Sequence, residues 1–219
     1  MVFDPSVKNV TGSENLGDDK SPIFDALNAE PGDYIQTAEE LESYLRSSRR
    51  EYTQVVVYHT STDYTQNFTR TELIDYYTNQ YGADINYHFL LLRDGRIQIN
   101  KSINEETAHT PITNHRPYSI SIAFVGGLNN GNHDIDSSSS VQWRTFRKFM
   151  QCFYGVLPGG QAFGHTDINP EAVDPGFDIV RYVEKAFGKR NTLRNRDAVR
   201  LGSLSTDQLI DESRNRGYR

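Results

Sequence analysis

The chain has 219 residues, with 36% hydrophobic and 24% charged side chains and a formal net charge of −6. At this length the simplest organisation is one domain with extensions, and no apolar run approaches the ~20 residues that cross a bilayer. The acidic balance argues against nucleic-acid binding, and the single cysteine, Cys152, excludes an intramolecular disulfide.

The first part of the chain predicts an irregular arm, then a helix and a buried strand. Residues 1–33 are rich in Asp, Gly, Ser and Pro, and they contain no recognisable secretory signal. Thr37 and Glu40 have the spacing of a capping box, which predicts that a helix begins there. The β-branched run Val55–Val57 predicts a strand buried on both faces, and His59 lies at its end.

The middle of the chain predicts a second helix and three more strands. Thr69 or Thr71 can cap the next helix, in which apolar and aromatic side chains recur at helical spacing, and Gly82 ends this pattern. The hairpin signal Asp94-Gly95 lies between two strand-like stretches. The three predicted strands cover residues 86–92, 96–100 and 119–125.

The last part of the chain predicts two amphipathic helices with a strand between them, and then a basic tail. The helices are expected at residues 141–155 and 177–187, and the strand is expected to end at Gly164. Strands and helices therefore alternate, which predicts an α/β fold with a mixed central β-sheet and flanking helices.

We expect three segments along the chain. Residues 1–51 form an N-terminal extension with one helix, residues 52–188 form the core domain, and residues 189–219 form a basic C-terminal extension. That extension has eight Lys and Arg against four Asp and Glu, a local charge of +4, so the remainder carries about −10. The tail is either a solvated extension or a segment that docks to an acidic polymer or partner.

Three side chains at the ends of predicted elements form a candidate zinc site. His165 follows a strand, and Asp174 comes nine residues later, just before a helix. The intervening loop, broken by Pro170, lets both side chains turn toward one point. His59 is the best candidate for a third ligand, since two imidazoles and a carboxylate suit zinc. The alternatives are ordinary surface histidines and a turn-forming aspartate.

Five sequence blocks occur in an order that resembles the type-2 N-acetylmuramoyl-L-alanine amidases. That superfamily includes phage amidase endolysins and the animal peptidoglycan recognition proteins. The resemblance covers about residues 52–187. The blocks are residues 55–61, 86–89, 93–95, 119–127 and 164–176.

The resemblance implies an activity and a set of site residues. Zn2+ would be held by His59, His165 and Asp174, with water in the fourth position. The reaction would be hydrolysis of the amide between N-acetylmuramic acid and L-alanine of the stem peptide. Tyr87 matches a family tyrosine and would be catalytic, donating a hydrogen bond to the oxyanion.

The resemblance also suggests substrate contacts and supporting residues. His109 matches a histidine that lines the substrate cleft, and Asn114 in the same loop is a candidate for a hydrogen bond to the glycan. Asp167 is expected to brace the loop or orient His165 rather than bind the metal. His88 is expected to point away from Tyr87 and to be structural.

The chain departs from the family pattern at two positions. Ala172 stands where many active relatives have a lysine, so a cationic group near the last ligand is missing unless Lys101 or Arg116 supplies it. Ala123 stands where other relatives have a glutamate. Both changes would place more of the catalytic burden on Tyr87 and would slow turnover.

We therefore predict a zinc-dependent peptidoglycan hydrolase, either a phage lysin or a virion-associated lysin. The expected partners are peptidoglycan and, through the terminal extensions, other phage structural proteins. The expected location is the host cytoplasm before release, or the virion tail. Two alternatives remain: a non-catalytic peptidoglycan-binding module, and a structural tail or baseplate subunit with a vestigial site.

Overall fold

The structure is a computed structural model, and it describes residues 30–107, 115–129, 132, 137–169 and 171–189. Within these residues the strands are β1 (Tyr34–Ile35), β2 (Gln54–His59), β3 (Thr62–Asp63), β4 (Phe89–Leu91), β5 (Ile97–Ile99), β6 (Ser119–Phe124), β7 (Gly127–Leu128) and β8 (Gln161–Gly164). The helices are α1 (Ala38–Arg46), α2 (Arg70–Tyr81), α3 (Ser140–Val156), α4 (His165–Ile168) and α5 (Ile179–Phe187). The predictions for most of the N-terminal arm and the basic tail, and those for His109 and Asn114, lie outside the described residues.

Six strands form one mixed sheet in the order β1-β5-β4-β6-β2-β8. Strand β2 is parallel to both β6 and β8, and β4 is parallel to β6. Strand β5 is antiparallel to β4, and β1 is antiparallel to β5. The predicted α/β fold with a mixed sheet is confirmed. Because β2 and β8 are parallel neighbours, the ends that carry His59 and His165 lie at the same edge of the sheet.

The two faces of the sheet are covered by different helices. Val55 and Val57 face one core layer, which contains the buried side chains of α1, α3 and α5. Val56 and Tyr58 face the other layer, together with Leu73 of α2 and Ile168 of α4. Every residue of β2 is buried, so the expectation of a strand covered on both faces is confirmed.

The predicted helix starts are confirmed by their capping contacts. The Thr37 hydroxyl accepts the Glu40 N–H at 3.1 Å, and the Glu40 carboxylate accepts the Thr37 N–H at 3.1 Å. At the start of α2, the Glu72 carboxylate accepts both the Thr69 N–H and the Thr69 hydroxyl, each at 2.7 Å. Helix α2 ends at Gly82, which adopts a left-handed conformation with φ 60°. None of the helices in the described part of the chain is long and apolar enough to span a bilayer.

Some strands differ from the sequence prediction. Strand β4 is shorter than the predicted 86–92, and before it the Tyr87 carbonyl accepts the side-chain amide of Asn100 at 2.8 Å. The two-residue strands β1, β3 and β7 were not predicted. Strands β3 and β7 pair with each other in a small parallel sheet beside the end of β2.

His88 is buried and joins the sheet to the loop that follows β5. Its Nδ1 accepts the Ser121 N–H at 3.0 Å, so Nε2 carries the proton and donates to the Glu105 carbonyl at 2.9 Å. Burial lowers the pKa of His88 to about 3, which keeps the imidazole neutral at physiological pH. These contacts agree with the expectation that His88 is structural.

Candidate active site

The segment after β8 folds back on itself and brings His165 next to Asp174. Strand β8 ends at Gly164, and His165 is the first residue of the short helix α4. The Thr166 N–H donates to the Asp174 carbonyl at 3.0 Å. The Pro175 ring packs over Gly164, where an added Cβ would lie only 3.0 Å from Pro175 Cδ, and the Asp174–Pro175 peptide is cis. A side chain at position 164 would therefore require the Pro175 ring to shift by a few tenths of an ångström.

Asp174 contacts both strand ends that carry the predicted histidines. Its Oδ1 lies 2.6 Å from His165 Nδ1, and its Oδ2 accepts the main-chain N–H of His59 at 3.4 Å. The side chains of His165 and Asp174 are only 13% and 14% exposed. The structure therefore brings all three predicted ligand residues to one edge of the sheet.

The donor atoms of the three residues do not form a closed ligand cage. Nδ1 of His59 accepts the Ser61 N–H at 3.1 Å, and His165 pairs directly with Asp174. Within the residues that the structure describes, no group of three His, Cys, Asp or Glu side chains is arranged to hold a metal ion. The ligand roles of the three residues stay a prediction.

Tyr87 lies beneath the same edge of the sheet. Its ring packs against Tyr58 at a centroid distance of 5.4 Å, and its hydroxyl lies 3.5 Å from the His59 carbonyl. Burial raises the pKa of Tyr87 well above its usual value, and the nearby Tyr77 and Asp174 raise it further. The phenol therefore stays protonated at neutral pH and can act as a hydrogen-bond donor.

Two further tyrosines at this site were not singled out from the sequence. The Tyr58 ring packs against the His165 imidazole at a centroid distance of 4.8 Å. The Tyr77 hydroxyl donates to the Thr60 carbonyl, one residue after His59. In the sequence, Tyr77 is one of the apolar and aromatic side chains that recur at helical spacing after Thr69. The available signal was its hydroxyl, since a tyrosine on a core-facing stripe needs a polar partner.

The other predicted residues have different surroundings. Asp167 accepts the Gly164 N–H at 2.8 Å, and this contact braces the start of α4. Lys101 pairs with Asp84 at 3.5 Å. Arg116 precedes Ser119, the first residue of β6, which is level with Gln54 at the start of β2. Ser119 lies roughly 16 Å from the level of His59 along the strands. Arg116 is therefore at the wrong edge of the sheet to replace the missing lysine.

The sequence is similar to those of phage endolysins. No family model matches the chain. It is 27% identical to the endolysin of Escherichia phage T7 over 138 residues, which are 63% of this chain and 89% of that protein. It is 24% identical to the endolysin of Klebsiella phage KP32 over 139 residues, which are 64% of this chain and 90% of that protein.

The fold is similar to that of a solved amidase. The endolysin N-acetylmuramoyl-L-alanine amidase LysCS from Clostridium intestinale has a TM-score of 0.51 and 18% identity, over 64% of this chain and 86% of that chain. The chain is therefore similar in sequence to phage endolysins and has the fold of this amidase. The two endolysin alignments extend over 139 and 138 residues, which is about the length of the 52–187 segment in which the sequence blocks occur.

Gly127 gives a direct test of how the His59 ring is held. Gly127 has φ 106°, and a Cβ there would clash with Cγ, Nδ1 and Cδ2 of His59. We expect Gly127→Ala to displace the imidazole and to lower the free energy of unfolding by about 2 kcal/mol or more. If His59 binds zinc, the zinc affinity of the variant protein should also fall by about 10- to 100-fold. Denaturant unfolding and zinc titration measure the two effects.

Gly159→Ala is the matched control for this substitution. A Cβ at Gly159 would meet nothing within 4 Å, so the same chemical change should leave both stability and zinc affinity close to wild type. If the two variants had equal free energies of unfolding and equal zinc affinities, the packing of Gly127 against His59 would have no bearing on the site.

Proposed function

We propose that this endolysin-like chain is a zinc-dependent peptidoglycan hydrolase. It cleaves the amide between N-acetylmuramic acid and L-alanine of the stem peptide. The observation that carries the proposal is the position of Asp174, which contacts His165 directly and the main chain of His59. The similarity to phage endolysins and the amidase fold support the same activity.

The residues at this edge fit zinc by their chemistry. His59, His165 and Asp174 supply two imidazoles and one carboxylate, a ligand set that suits catalytic zinc sites with one open position. His165 and Asp174 are within hydrogen-bonding distance of each other, and Asp174 also contacts the main chain of His59, which carries the third donor atom. When bound, zinc lowers the pKa of a coordinated water molecule and polarises the scissile carbonyl.

The side chains around the ligands supply orientation and charge stabilisation. The Tyr58 ring restrains the imidazole of His165 by packing against it. Asp174 holds the Nδ1 side of that imidazole through the 2.6 Å contact. Tyr87 remains protonated and donates a hydrogen bond to the carbonyl oxygen as it gains negative charge. Because Ala172 offers no cation beside Asp174, Tyr87 supplies a larger share of this stabilisation.

We further propose that the substrate is bound by the loop that follows β5. In this loop, His109 is assigned to the peptide or the sugar of the substrate, and Asn114 is assigned to the glycan. The enzyme reaches the wall either by release from the host cytoplasm or on a virion tail. In the second case the terminal extensions dock to other virion proteins.

Product analysis on purified peptidoglycan tests this function. The enzyme should release stem peptides with a free N-terminal L-alanine and should leave the glycan strands intact. Chelation should abolish the release, and stoichiometric zinc should restore it. Mass spectrometry of the soluble products and metal analysis of the protein give both readouts.

The other outcomes separate the alternatives. A protein that binds peptidoglycan and one zinc per chain, yet releases no peptide, would be a binding module. Reducing sugar ends in place of free alanine termini would assign the cleavage to the glycan and would overturn the amidase proposal.

A further inference from the structure

The chain passes beside the ring of His59 where β6 leads into β7. Gly127 is the first residue of β7, and a Cβ added there would lie 2.3 Å from His59 Cγ and 2.5 Å from His59 Nδ1. The main chain of Gly127 therefore lies directly against the imidazole. On the same ring, Nδ1 accepts the Ser61 N–H at 3.1 Å. The direction of the imidazole nitrogens thus depends on where the Gly127 main chain is held.

Ser137, in the segment before α3, holds the main chain of Gly127. Its hydroxyl oxygen accepts the Gly127 N–H at 3.0 Å. Its own carbonyl accepts a guanidinium N–H of Arg93 at 2.6 Å. Ser137 is thus bonded on one side to the strand that packs on His59, and on the other side to a residue just beyond β4.

Arg93 is fixed in turn to the central strands of the sheet. The same Nη1 that donates to the Ser137 carbonyl also donates to Gln142 Oε1 at 3.1 Å, which uses both hydrogens of this nitrogen. Gln142 is fully buried, and its Nε2 donates to the carbonyls of Leu91 at 2.9 Å and Val125 at 3.0 Å. Side-chain hydrogen bonds therefore connect Ser137 to the ends of β4 and β6.

We propose that Ser137 is a positioning residue that keeps the His59 imidazole in the orientation needed to bind zinc. The zinc role of His59 in this inference rests on the proposed function. The Ser137 hydroxyl sets the position of Gly127, and the main chain of Gly127 limits the rotation of the ring. Contacts of this kind, one layer out from the metal, orient a ligand and raise the affinity of its site.

Ser137→Ala tests the inference, because it removes the acceptor of the Gly127 N–H and keeps the carbonyl that accepts from Arg93. We expect the zinc affinity to fall by about tenfold, the lower end of the effect of losing such a contact. Ser48→Ala is the matched control, since the Ser48 hydroxyl also accepts a main-chain N–H, that of Arg50 at 3.2 Å, in the segment before β2. That variant should keep the wild-type zinc affinity.

A double-mutant cycle shows whether Ser137 acts through Gly127. If it does, Ser137→Ala has little further effect on zinc affinity once Gly127→Ala has displaced the ring. The same tenfold loss in both backgrounds would overturn the inference, because the Ser137 hydroxyl would then act on the site by another route. An unchanged zinc affinity in the single variant would overturn it as well.

A spectroscopic readout makes the inference independent of metal and activity. In zinc-free protein labelled with ¹⁵N at the histidine rings, the His59 signals are assigned from their loss in His59→Ala. These signals should shift in Ser137→Ala and stay in place in Ser48→Ala. If wild type bound no zinc and released no stem peptide, the proposed function would fail, while this shift still tested how the ring is held. Unmoved His59 signals in Ser137→Ala would overturn the positioning role itself.

Discussion

His165→Ala should lower the rate of stem-peptide release by at least about a thousandfold, because it removes one of three proposed zinc ligands. It also leaves Asp174 without the imidazole that lies 2.6 Å from its Oδ1. The bound zinc should fall well below one ion per chain. Peptide release and metal content, measured on the same preparation, check both expectations.

His115→Ala is the control for this variant. His115 lies just before β6, at the opposite edge of the sheet, where Gln54 Nε2 is 2.8 Å from its Nδ1. The same histidine-to-alanine change should therefore leave the zinc content unchanged. A His165→Ala protein with one zinc per chain and wild-type turnover would remove His165 from the site.

Tyr87→Phe should lower kcat on the order of 10²–10³-fold and leave the zinc content unchanged, because the lost hydroxyl stabilises the oxyanion and does not bind the metal. The phenylalanine ring still packs against Tyr58, so the fold should be retained. Steady-state kinetics on soluble muropeptides give kcat and KM separately. Zinc analysis of the same sample shows whether the metal site is intact.

Tyr52→Phe is the matched control for the loss of a tyrosine hydroxyl. The Tyr52 hydroxyl also donates to a main-chain carbonyl, that of Leu45 at 2.9 Å, but it lies in the core layer that includes α1. This variant should lose some stability and keep kcat. A kcat within about threefold of wild type in Tyr87→Phe would assign oxyanion stabilisation to another group.

Sequence patterns predicted the helices and strands that are buried on one face or on both faces. The β-branched run Val55–Val57 is buried on both faces, and it marked β2 correctly. Thr37 and Glu40 marked the start of α1, since the capping box is a local contact. The positions of His59 and His165 at the ends of predicted strands also indicated the edge of the sheet at which both residues lie, because parallel neighbours end at the same edge of a sheet.

Other features of the site depend on contacts between residues far apart in the chain. Tyr77 fits the apolar stripe of α2, and its partner, the Thr60 carbonyl, is a main-chain group that no sequence pattern marks. The two-residue strands β3 and β7 are too short for any periodicity. The close approach of Gly127 to the His59 ring likewise exists only after these two strands have paired.

The same limit applies to the proposed ligands. Their residue types and order indicated zinc chemistry, but the direction of each donor atom depends on neighbouring main-chain groups. Nδ1 of His59 faces the Ser61 N–H, two residues further along the chain. One carboxylate oxygen of Asp174 lies next to the imidazole of His165, and the other accepts the main-chain N–H of His59. Spacing in the sequence carries no information about such choices.

The short strand β1 has a consequence for the solubility of the protein. It pairs with β5 through Tyr34 and Ile35, and the Gly32 N–H adds a hydrogen bond of 2.7 Å to the Ile99 carbonyl. Without this cover, β5 would present unpaired amide and carbonyl groups, which recruit strands from other molecules. The residues just before α1 therefore protect the sheet against self-association, at the side farthest from β8.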